Sequence, residues 1–144
     1  MRLLGLDVGS KTIGVAVSDE LGYTAQKVTT IPIDEDRFNF GMRPLKKLVR
    51  TYQADGFVLG LPKNMDGSEG PSVARSKAYG QRLVAKFGLP VSYVDERLTT
   101  VESRRILVDA GIHDRKERKQ VIDQMAAMLI LQTYLDLQRK DNNG

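Results

Sequence analysis

Cysteine is missing from the 144-residue chain, tryptophan is also missing, and histidine occurs once, at His113. Without cysteine the chain can form neither a disulfide framework nor a thiolate metal site. A single histidine excludes the multi-histidine sites of zinc enzymes. We interpret His113 as a surface residue, so these absences remove sulfur and imidazole chemistry from the candidate functions.

Long hydrophobic runs are missing as well. Asp7 interrupts the apolar N-terminal stretch, which therefore lacks the core of a signal peptide. No run approaches the roughly 18 apolar residues of a membrane span. An apolar content of 41% and a charged content of 28% are ordinary for a soluble globular protein. The sequence predicts one cytosolic domain over residues 1–138, with no membrane partner, followed by a frayed polar tail at residues 139–144.

Basic residues are in modest excess, with a net charge of +4, and they cluster in the C-terminal third. Such a cluster favours a polyanionic partner, although a solvated helical face would have the same composition. Together with Lys11 near the N-terminus, the candidates for phosphate contacts are Arg97, Arg104, Arg115, Lys116, Arg118 and Lys119.

Hydrophobic periodicity predicts an α/β protein with five strands. The predicted strands are the apolar stretch from Leu3 to Asp7, Ile13–Val17, Thr24–Ile33, Asp55–Leu61 and Leu89–Val94. The predicted helices are Met42–Tyr52, Ser72–Phe87, Thr100–Ala110 and Val121–Leu137, with a polar connector at Asp34–Gly41 and a charged connector at His113–Gln120. An antiparallel meander followed by strands that alternate with helices predicts one mixed sheet flanked by helices.

The stretch that organises this prediction is the first hairpin. Its first strand is apolar until Asp7, and Gly9 is expected to turn the chain through a positive φ. The second strand has small residues, Gly14 and Ala16, on one face, which permits close approach by another element. A lone acid at the end of a buried strand is costly unless something compensates its charge.

Three acids stand at unusual positions: Asp7 at the end of a strand, Glu96 just after another, and Asp123 in the apolar final helix. Carboxyl ends of parallel strands meet at one edge of a sheet, which would bring the first two together. The face of the final helix that carries Asp123 is small and apolar, and it could pack on the first hairpin through Ala126, Ala127 and Ile130 against Gly5, Gly14 and Ala16.

Three converging carboxylates repel one another unless a hard divalent cation lies between them. Two such ions, roughly 3.5–4 Å apart, can activate a water and stabilise a leaving oxygen in phosphodiester cleavage. The alternatives are structural. Asp7 could accept hydrogen bonds from backbone amides of the turn, and Glu96 could pair with Arg97 or Arg104. Asp123 could serve the helix dipole as a first-turn acid.

Four segments in this order resemble the YqgF family of bacterial proteins, also called RuvX: Leu6–Ala16, Gly60–Gly67, Val94–Thr100 and Ile122–Ala127. The resemblance covers nearly the whole chain. It implies a ribonuclease H-like fold related to the RuvC resolvase, and a nuclease that trims the 5′ end of the 16S rRNA precursor. The family's catalytic and metal-binding acids map onto Asp7, Glu96 and Asp123, with Mg²⁺ or Mn²⁺ as cofactor. Supporting roles are expected for Gly9, Ser10, Asn64, Asp95 and Thr99, although Asn64 and Asp66 are also ordinary turn formers.

Two positions depart from the family pattern. Ser10 stands where threonine is commoner, which keeps the hydroxyl. The resolvase relatives carry a fourth carboxylate one helical turn from the last acid, whereas Gln120 and Ala126 stand three residues from Asp123 here. A site with three acids is expected to bind metal more weakly, so cleavage could require a partner such as a ribosomal particle.

Three other functions use the same features. An aspartate before a glycine turn is also typical of ATP-binding domains of the actin and sugar-kinase group, which need two such domains. A DNA junction resolvase would use the same acids, normally as a dimer. A non-catalytic RNA-binding assembly factor would use only the basic residues. We expect a monomer or a weak dimer, with RNA as the first partner and structured DNA as the second.

Overall fold

The computed structural model describes residues 1–98, 109–112 and 114–143. It contains a five-stranded sheet in the order β3-β2-β1-β4-β5. The strands are β1 Leu3–Val8, β2 Thr12–Ser18, β3 Ala25–Pro32, β4 Gly56–Leu61 and β5 Val91–Asp95. The helices are α1 Met42–Tyr52, α2 Pro71–Phe87 and α3 Arg115–Asn143, with a short 3-10 helix at Glu35–Arg37. The predicted α/β class and mixed five-stranded sheet are confirmed.

The sheet combines both kinds of pairing. β1, β2 and β3 form an antiparallel meander, while β4 runs parallel to β1 and β5 parallel to β4. The carboxyl ends of β1, β4 and β5 therefore lie at one edge, the usual position of sites in open α/β sheets. Because β1 is the central strand, its terminal residues occupy the middle of that edge.

Helices cover both faces of the sheet and bury a separate core on each. On one face, Leu45 of α1 and Leu83 of α2 pack on a cluster that includes Leu6 of β1. On the other face, Ile130 and Leu131 of α3 pack with smaller side chains of the sheet, including Ala16. The predicted packing of the final helix on the first hairpin is confirmed.

The final helix is longer at both ends than predicted. The segment expected to be a charged connector is helical from Arg115 on, because its residues are good helix formers and the Asp114 carboxylate accepts a hydrogen bond from the Lys116 amide at 2.8 Å. The expected frayed tail is also wrong, since α3 extends to Asn143 and the Arg139 guanidinium donates to the Tyr23 carbonyl at 2.7 Å.

Two further predictions concern other parts of the chain. The polar connector after β3 contains the short 3-10 helix. The predicted helix Thr100–Ala110 lies outside the described residues except at its last two positions. None of the helices in the described part combines the length and the apolarity that a membrane crossing requires.

Candidate active site

Asp7 lies near the end of β1, opposite Gly14 of β2, and its side chain is half-buried. The absence of a side chain at Gly14 leaves room for α3. A Cβ atom at Gly14 would lie 3.5 Å from the Cβ atoms of both Asp7 and Ala127. The Asp7 carboxylate therefore lies at the seam between the hairpin and the final helix.

The close approach of α3 depends most strongly on Gly5. A Cβ atom there would lie 2.6 Å from Cβ of Leu131 and 3.0 Å from the carbonyl oxygen of Ala127, closer than real Cβ atoms lie. This contact holds Asp123, which is exposed on α3, on the same side of the sheet as Asp7. Asp123 lies well inside a helix that begins at Arg115, so the alternative role as a first-turn acid is wrong.

The electrostatics of Asp7 reflect this neighbourhood. Burial raises the pKa of Asp7, and the nearby Asp123 carboxylate raises that pKa further. The alternative in which the Gly9 amide donates to Asp7 is not observed, because that amide donates to the carbonyl oxygen of Thr12 at 3.0 Å.

Glu96 follows β5 directly and is half-buried. Burial raises the pKa of Glu96 to about 7, with smaller contributions from the Asp7 and Asp95 carboxylates. Asp7 is thus coupled to both other acids. Glu96 and Asp123 therefore each lie near enough to Asp7 to affect a pKa.

Gly60 of β4 is a site residue that sequence reasoning did not single out. A Cβ atom at Gly60 would lie 2.8 Å from Cγ and Cδ of Glu96, so only glycine leaves room for this side chain over the strand. The Gly60 carbonyl accepts a hydrogen bond from the buried Ser76 hydroxyl at 2.7 Å. A glycine inside a buried apolar strand is the signal that could have identified it, because it marks a close approach.

The chemistry of these donors suits a hard cation. Carboxylate oxygens are the ligands that Mg²⁺ and Mn²⁺ prefer, and a cation would relieve the repulsion that raises the pKa values of Asp7 and Glu96. Within the described residues, no group of three or more acidic or histidine side chains is arranged to hold a metal ion. The fit is therefore to an ion such as Mg²⁺, which commonly takes one or two carboxylates and completes its shell with water and substrate phosphate.

Asp95 and Arg97 form an ion pair beside the acids. The Arg97 Nε lies 3.0 Å from both Asp95 carboxylate oxygens, and its Nη1 donates to the Met65 carbonyl at 3.4 Å. The pair lowers the pKa of Asp95. Arg97 thus joins the end of β5 to the loop after β4, and its charge is balanced by Asp95, so a phosphate contact by Arg97 stays a prediction.

Polar side chains of the loop after β4 form hydrogen bonds with one another. The Asn64 amide donates to the Ser68 hydroxyl at 2.9 Å, and that hydroxyl donates to Asp66 at 2.6 Å. These bonds lower the pKa of Asp66. Asn64 and Asp66 are turn formers here, as one of the two interpretations expected.

In the turn after Asp7, glycine is favoured at position 9 for a different reason from the one predicted. Gly9 does not adopt a positive φ; instead, a Cβ atom there would lie 3.0 Å from the Thr12 carbonyl oxygen. Ser10 and Lys11 are exposed in this turn. Both line a cavity of about 420 Å³ together with Asp34, Glu35 and Asp36. Lys11 therefore shares this cavity with three acidic residues.

The structure describes only some of the other basic residues predicted to contact phosphate. Arg115 and Lys116 are exposed in the first turn of α3. Lys116 is seven residues from Asp123, which places the two on one face of the helix, roughly 10 Å apart along its axis. The other predicted positions lie outside the described residues or have side chains outside them: Thr99, Arg104, His113, Arg118 and Lys119.

The fold is RuvC-like. Over 98% of this chain and 96% of the other, the structure is similar to T. thermophilus RuvC in complex with a Holliday junction substrate, with a TM-score of 0.65 at 15% identity. A second structure of Thermus thermophilus RuvC matches with a TM-score of 0.59 at 14% identity, over 97% of each chain.

The chain belongs to the RuvX family, whose model is described as Holliday junction resolvase and matches residues 1–137. It is 80% identical over 142 residues to a Lactobacillus helveticus protein, covering 98% of this chain and 100% of that one. It is 58% identical over 136 residues to a Streptococcus sanguinis protein, covering 94% of this chain and 98% of that one. Both relatives bear the name "Putative pre-16S rRNA nuclease".

Proposed function

We propose that this protein is a cytoplasmic, metal-dependent endonuclease that processes the 5′ end of pre-16S rRNA. The observation that carries the chemistry is the electrostatic coupling of Asp7 to both Glu96 and Asp123 at the carboxyl edge of the sheet. The names of full-length relatives supply the substrate. An absence of metal-dependent RNA cleavage would contradict this proposal.

In this proposal Asp7, Glu96 and Asp123 hold two divalent ions. Asp7 would contribute to the binding of both ions, because it interacts with both Glu96 and Asp123. When bound, the ions supply an activated water and charge stabilisation for the departing 3′ oxygen. The result is a product with a 5′ phosphate.

The protein's own residues position these ligands. Gly60 and Gly5 let Glu96 and α3 approach the end of β1, and the Arg97 pair with Asp95 anchors the chain beside Glu96. Half-burial of Asp7 and Glu96 limits their solvation, which strengthens their attraction for a cation. Exposed Arg115 and Lys116 would attract the phosphate backbone.

A DNA junction resolvase is the second candidate, favoured by the description of the family model. It would use the same acids on a different polyanion. The residues of the site do not distinguish ribose from deoxyribose, so only a comparison of RNA and DNA substrates distinguishes the two functions.

The test is cleavage of three substrates: a single-stranded RNA covering the 5′ end of the 16S precursor, its DNA equivalent and a four-way DNA junction. Each is incubated with Mg²⁺, with Mn²⁺ or with EDTA, using wild type and Asp7→Asn. RNA cleavage that requires metal and is lost in Asp7→Asn is expected. Cleavage of the junction alone would favour the resolvase. RNA binding without any cleavage, also on precursor ribosomal particles, would favour a non-catalytic assembly factor.

A further inference from the structure

We propose that a cavity on the face of the sheet opposite Asp7 binds unpaired bases of the substrate strand. This cavity, called the base cleft below, has a volume of about 370 Å³ and lies between α2 and residues 33–40. Val8 and Gly9 line its inner end, so it reaches the turn that follows Asp7. The inference rests on the proposed function, because it assumes a nucleic-acid strand held at Asp7.

The position of the base cleft relative to the acids follows from the pleat of β1. Successive strand side chains point to opposite faces, so Val8 faces α2 while Asp7 faces α3. A strand that crosses the carboxyl edge of the sheet at Asp7 would continue over the turn at Gly9. Its neighbouring nucleotides would then reach the base cleft.

The walls of the base cleft suit a flat ring. Ala74 and Ala78, one helical turn apart on α2, form one side, and Val8 and Ile33 lie across from them. Small side chains on the helix leave a slot with apolar walls. The volume is within the range of roughly 300–1,000 Å³ that is typical of ligand pockets.

The polar end of the base cleft presents a donor and an acceptor side by side. The Arg75 Nε donates to the Glu35 Oε1 at 2.8 Å, and both side chains are about one-third exposed, at 34% and 36%. The guanidinium retains further N–H donors and the carboxylate a further acceptor oxygen. The edges of bases carry both donors and acceptors, so an ion pair of this kind can bond to them.

Two aromatic rings continue the base cleft outward. Phe40 lines it, with the Arg82 guanidinium 3.8 Å from the ring centre, and the Tyr79 hydroxyl donates to the Phe40 carbonyl at 2.7 Å. Phe38 contacts Phe40 edge to face, with ring centroids 6.5 Å apart. Segment 38–40 is thus anchored to α2 through Phe40, whose ring lines the cleft and contacts the Phe38 ring.

Phe38 is the observation that points to a ligand. Its side chain is 79% exposed, and its backbone is left-handed, with a φ of 55°, which bulky residues rarely adopt. Both features cost folding free energy, and an exposed ring contributes little packing in return. An exposed aromatic ring is a platform on which single-stranded nucleic acids stack their bases, and Arg82 lies over the neighbouring Phe40 ring.

These features select unpaired nucleotides. A paired base has its edge bonded to its partner and its faces stacked, so it cannot enter a slot between a helix and a loop. Two arginines, Arg75 and Arg82, and one acid, Glu35, line the base cleft, and Asp34 and Asp36 flank Glu35 in the adjacent cavity. RNA and DNA single strands share this chemistry, so both are included in the test.

The test measures binding in EDTA, where cleavage cannot interfere. Fluorescence anisotropy gives the Kd of a single-stranded RNA, the same sequence as DNA, and a blunt RNA duplex, for wild type and Phe38→Ala. We expect Phe38→Ala to weaken binding of both single strands by roughly tenfold and to leave duplex binding unchanged. Because the ring is exposed, Phe38→Ala is expected to unfold at the wild-type temperature.

Tyr23→Ala is the matched control. Tyr23 is also an exposed aromatic residue, at 53%, and Arg139 lies over its ring at 5.4 Å, as Arg82 lies over the Phe40 ring in the base cleft. It lies between β2 and β3, at the sheet edge opposite Asp7. Tyr23→Ala is therefore expected to bind all three nucleic acids as wild type does. Arg82→Ala gives a second variant in the base cleft, with a loss of several-fold expected for single strands only.

An abasic scan locates the stacked base. Replacing it by an abasic nucleotide should weaken binding to wild type but not weaken binding to Phe38→Ala any further, because the contact is already absent. A Phe38→Ala protein that binds single strands as tightly as wild type would overturn the base cleft. Equal losses for single strands and duplex, or the absence of such a position in the scan, would overturn it too.

The outcomes separate the base cleft from the proposed function. If wild type cleaves RNA while Phe38→Ala binds normally, the nuclease stands and the base cleft is wrong. If wild type cleaves nothing, also on precursor particles, while the Phe38→Ala effect is present, the base cleft stands as a single-strand binding site and the nuclease is wrong.

Discussion

At the scale of single residues, burial and the neighbouring Asp7 carboxylate disfavour the charged form of Glu96. Its pKa is about 7 in the folded protein, against roughly 4.3 in an unfolded chain. Between these values the folded state binds more protons than the unfolded state, so its stability decreases as the pH rises. The favourable contribution is complete below about pH 4 and is lost as the pH passes 7.

The corresponding prediction concerns metal-free protein in EDTA. From pH 5 to pH 8, the free energy of unfolding of wild type should fall by about 1–3 kcal/mol more than that of Glu96→Gln, whose side chain does not titrate. Urea unfolding at both pH values measures this difference. Parallel pH profiles for the two proteins would mean that the pKa of Glu96 is not raised.

Gly60 allows a second prediction at this scale. In Gly60→Ala, the added methyl group would overlap Cγ and Cδ of Glu96 and Cδ1 of Ile130, which lies 2.6 Å from the ideal Cβ position. Both neighbours can shift, so a modest stability loss of about 1 kcal/mol is expected. The displaced Glu96 carboxylate should lower kcat for RNA cleavage at least tenfold, with RNA binding in EDTA unchanged. Wild-type kcat in this variant would show that the position of Glu96 does not limit cleavage.

At the scale of elements, the seam between α3 and the first hairpin sets the distance between Asp7 and Asp123. Gly5 and Gly14 lie on adjacent strands under the same helix, but the space at the two positions differs. A Cβ atom at Gly5 would lie 2.6 Å from Cβ of Leu131, whereas one at Gly14 would make only contacts of 3.5 Å. The two glycines therefore form a matched pair for substitution.

We expect Gly5→Ala to reduce the free energy of unfolding by about 1–3 kcal/mol, because α3 must move away from β1. Gly14→Ala should stay within about 0.5 kcal/mol of wild type. Denaturant unfolding measures both. If the two variants lose equal stability, close packing at Gly5 is not what positions α3.

At the scale of the whole molecule, the positions of the positively charged side chains determine where a polyanion binds. Arg115 and Lys116 extend from the start of α3, on the helix that carries Asp123. Lys46 and Lys47 are equally exposed, but they belong to α1 on the other face of the sheet. The two pairs have the same charge and differ in position.

Arg115→Ala combined with Lys116→Ala is expected to flatten the plot of log K against log salt for single-stranded RNA by roughly 1.4, from two lost phosphate contacts. The helix should not be weakened, since positive charges near a helix N-terminus are unfavourable. Lys46→Ala combined with Lys47→Ala should leave the slope unchanged. An unchanged slope in the first double variant would contradict phosphate binding by these residues.

Much of the fold was predictable because it depends on local patterns. Alternation and helical spacing indicated all five strands and the helices α1 and α2 within a few residues of their bounds. The error lay at α3, where charged residues from Arg115 on were interpreted as a connector although they are good helix formers. The predicted reason for glycine at position 9 was also wrong. Its φ is not positive, and a Cβ atom there would instead lie 3.0 Å from the Thr12 carbonyl oxygen.

The acids of the candidate site could be identified from the sequence, but the residues that surround and position them could not. Asp7, Glu96 and Asp123 stood out because acids rarely occur in or beside apolar segments, and in the structure the last two each lie near Asp7. Their catalytic role stays a prediction. One alternative paired Glu96 with Arg97, whereas the structure pairs Arg97 with Asp95.

The sequence by itself determined the elements, the oxygen-only ligand chemistry and the three acids at the ends or faces of those elements, because these follow from residue type and short-range spacing. Only the tertiary structure decided that Gly60 makes room for Glu96, that burial raises the pKa of Glu96, and that α2 and residues 33–40 form the base cleft with the turn after Asp7. The physical reason is that burial and contact depend on residues distant in the chain, which come together only when the sheet and its helices pack.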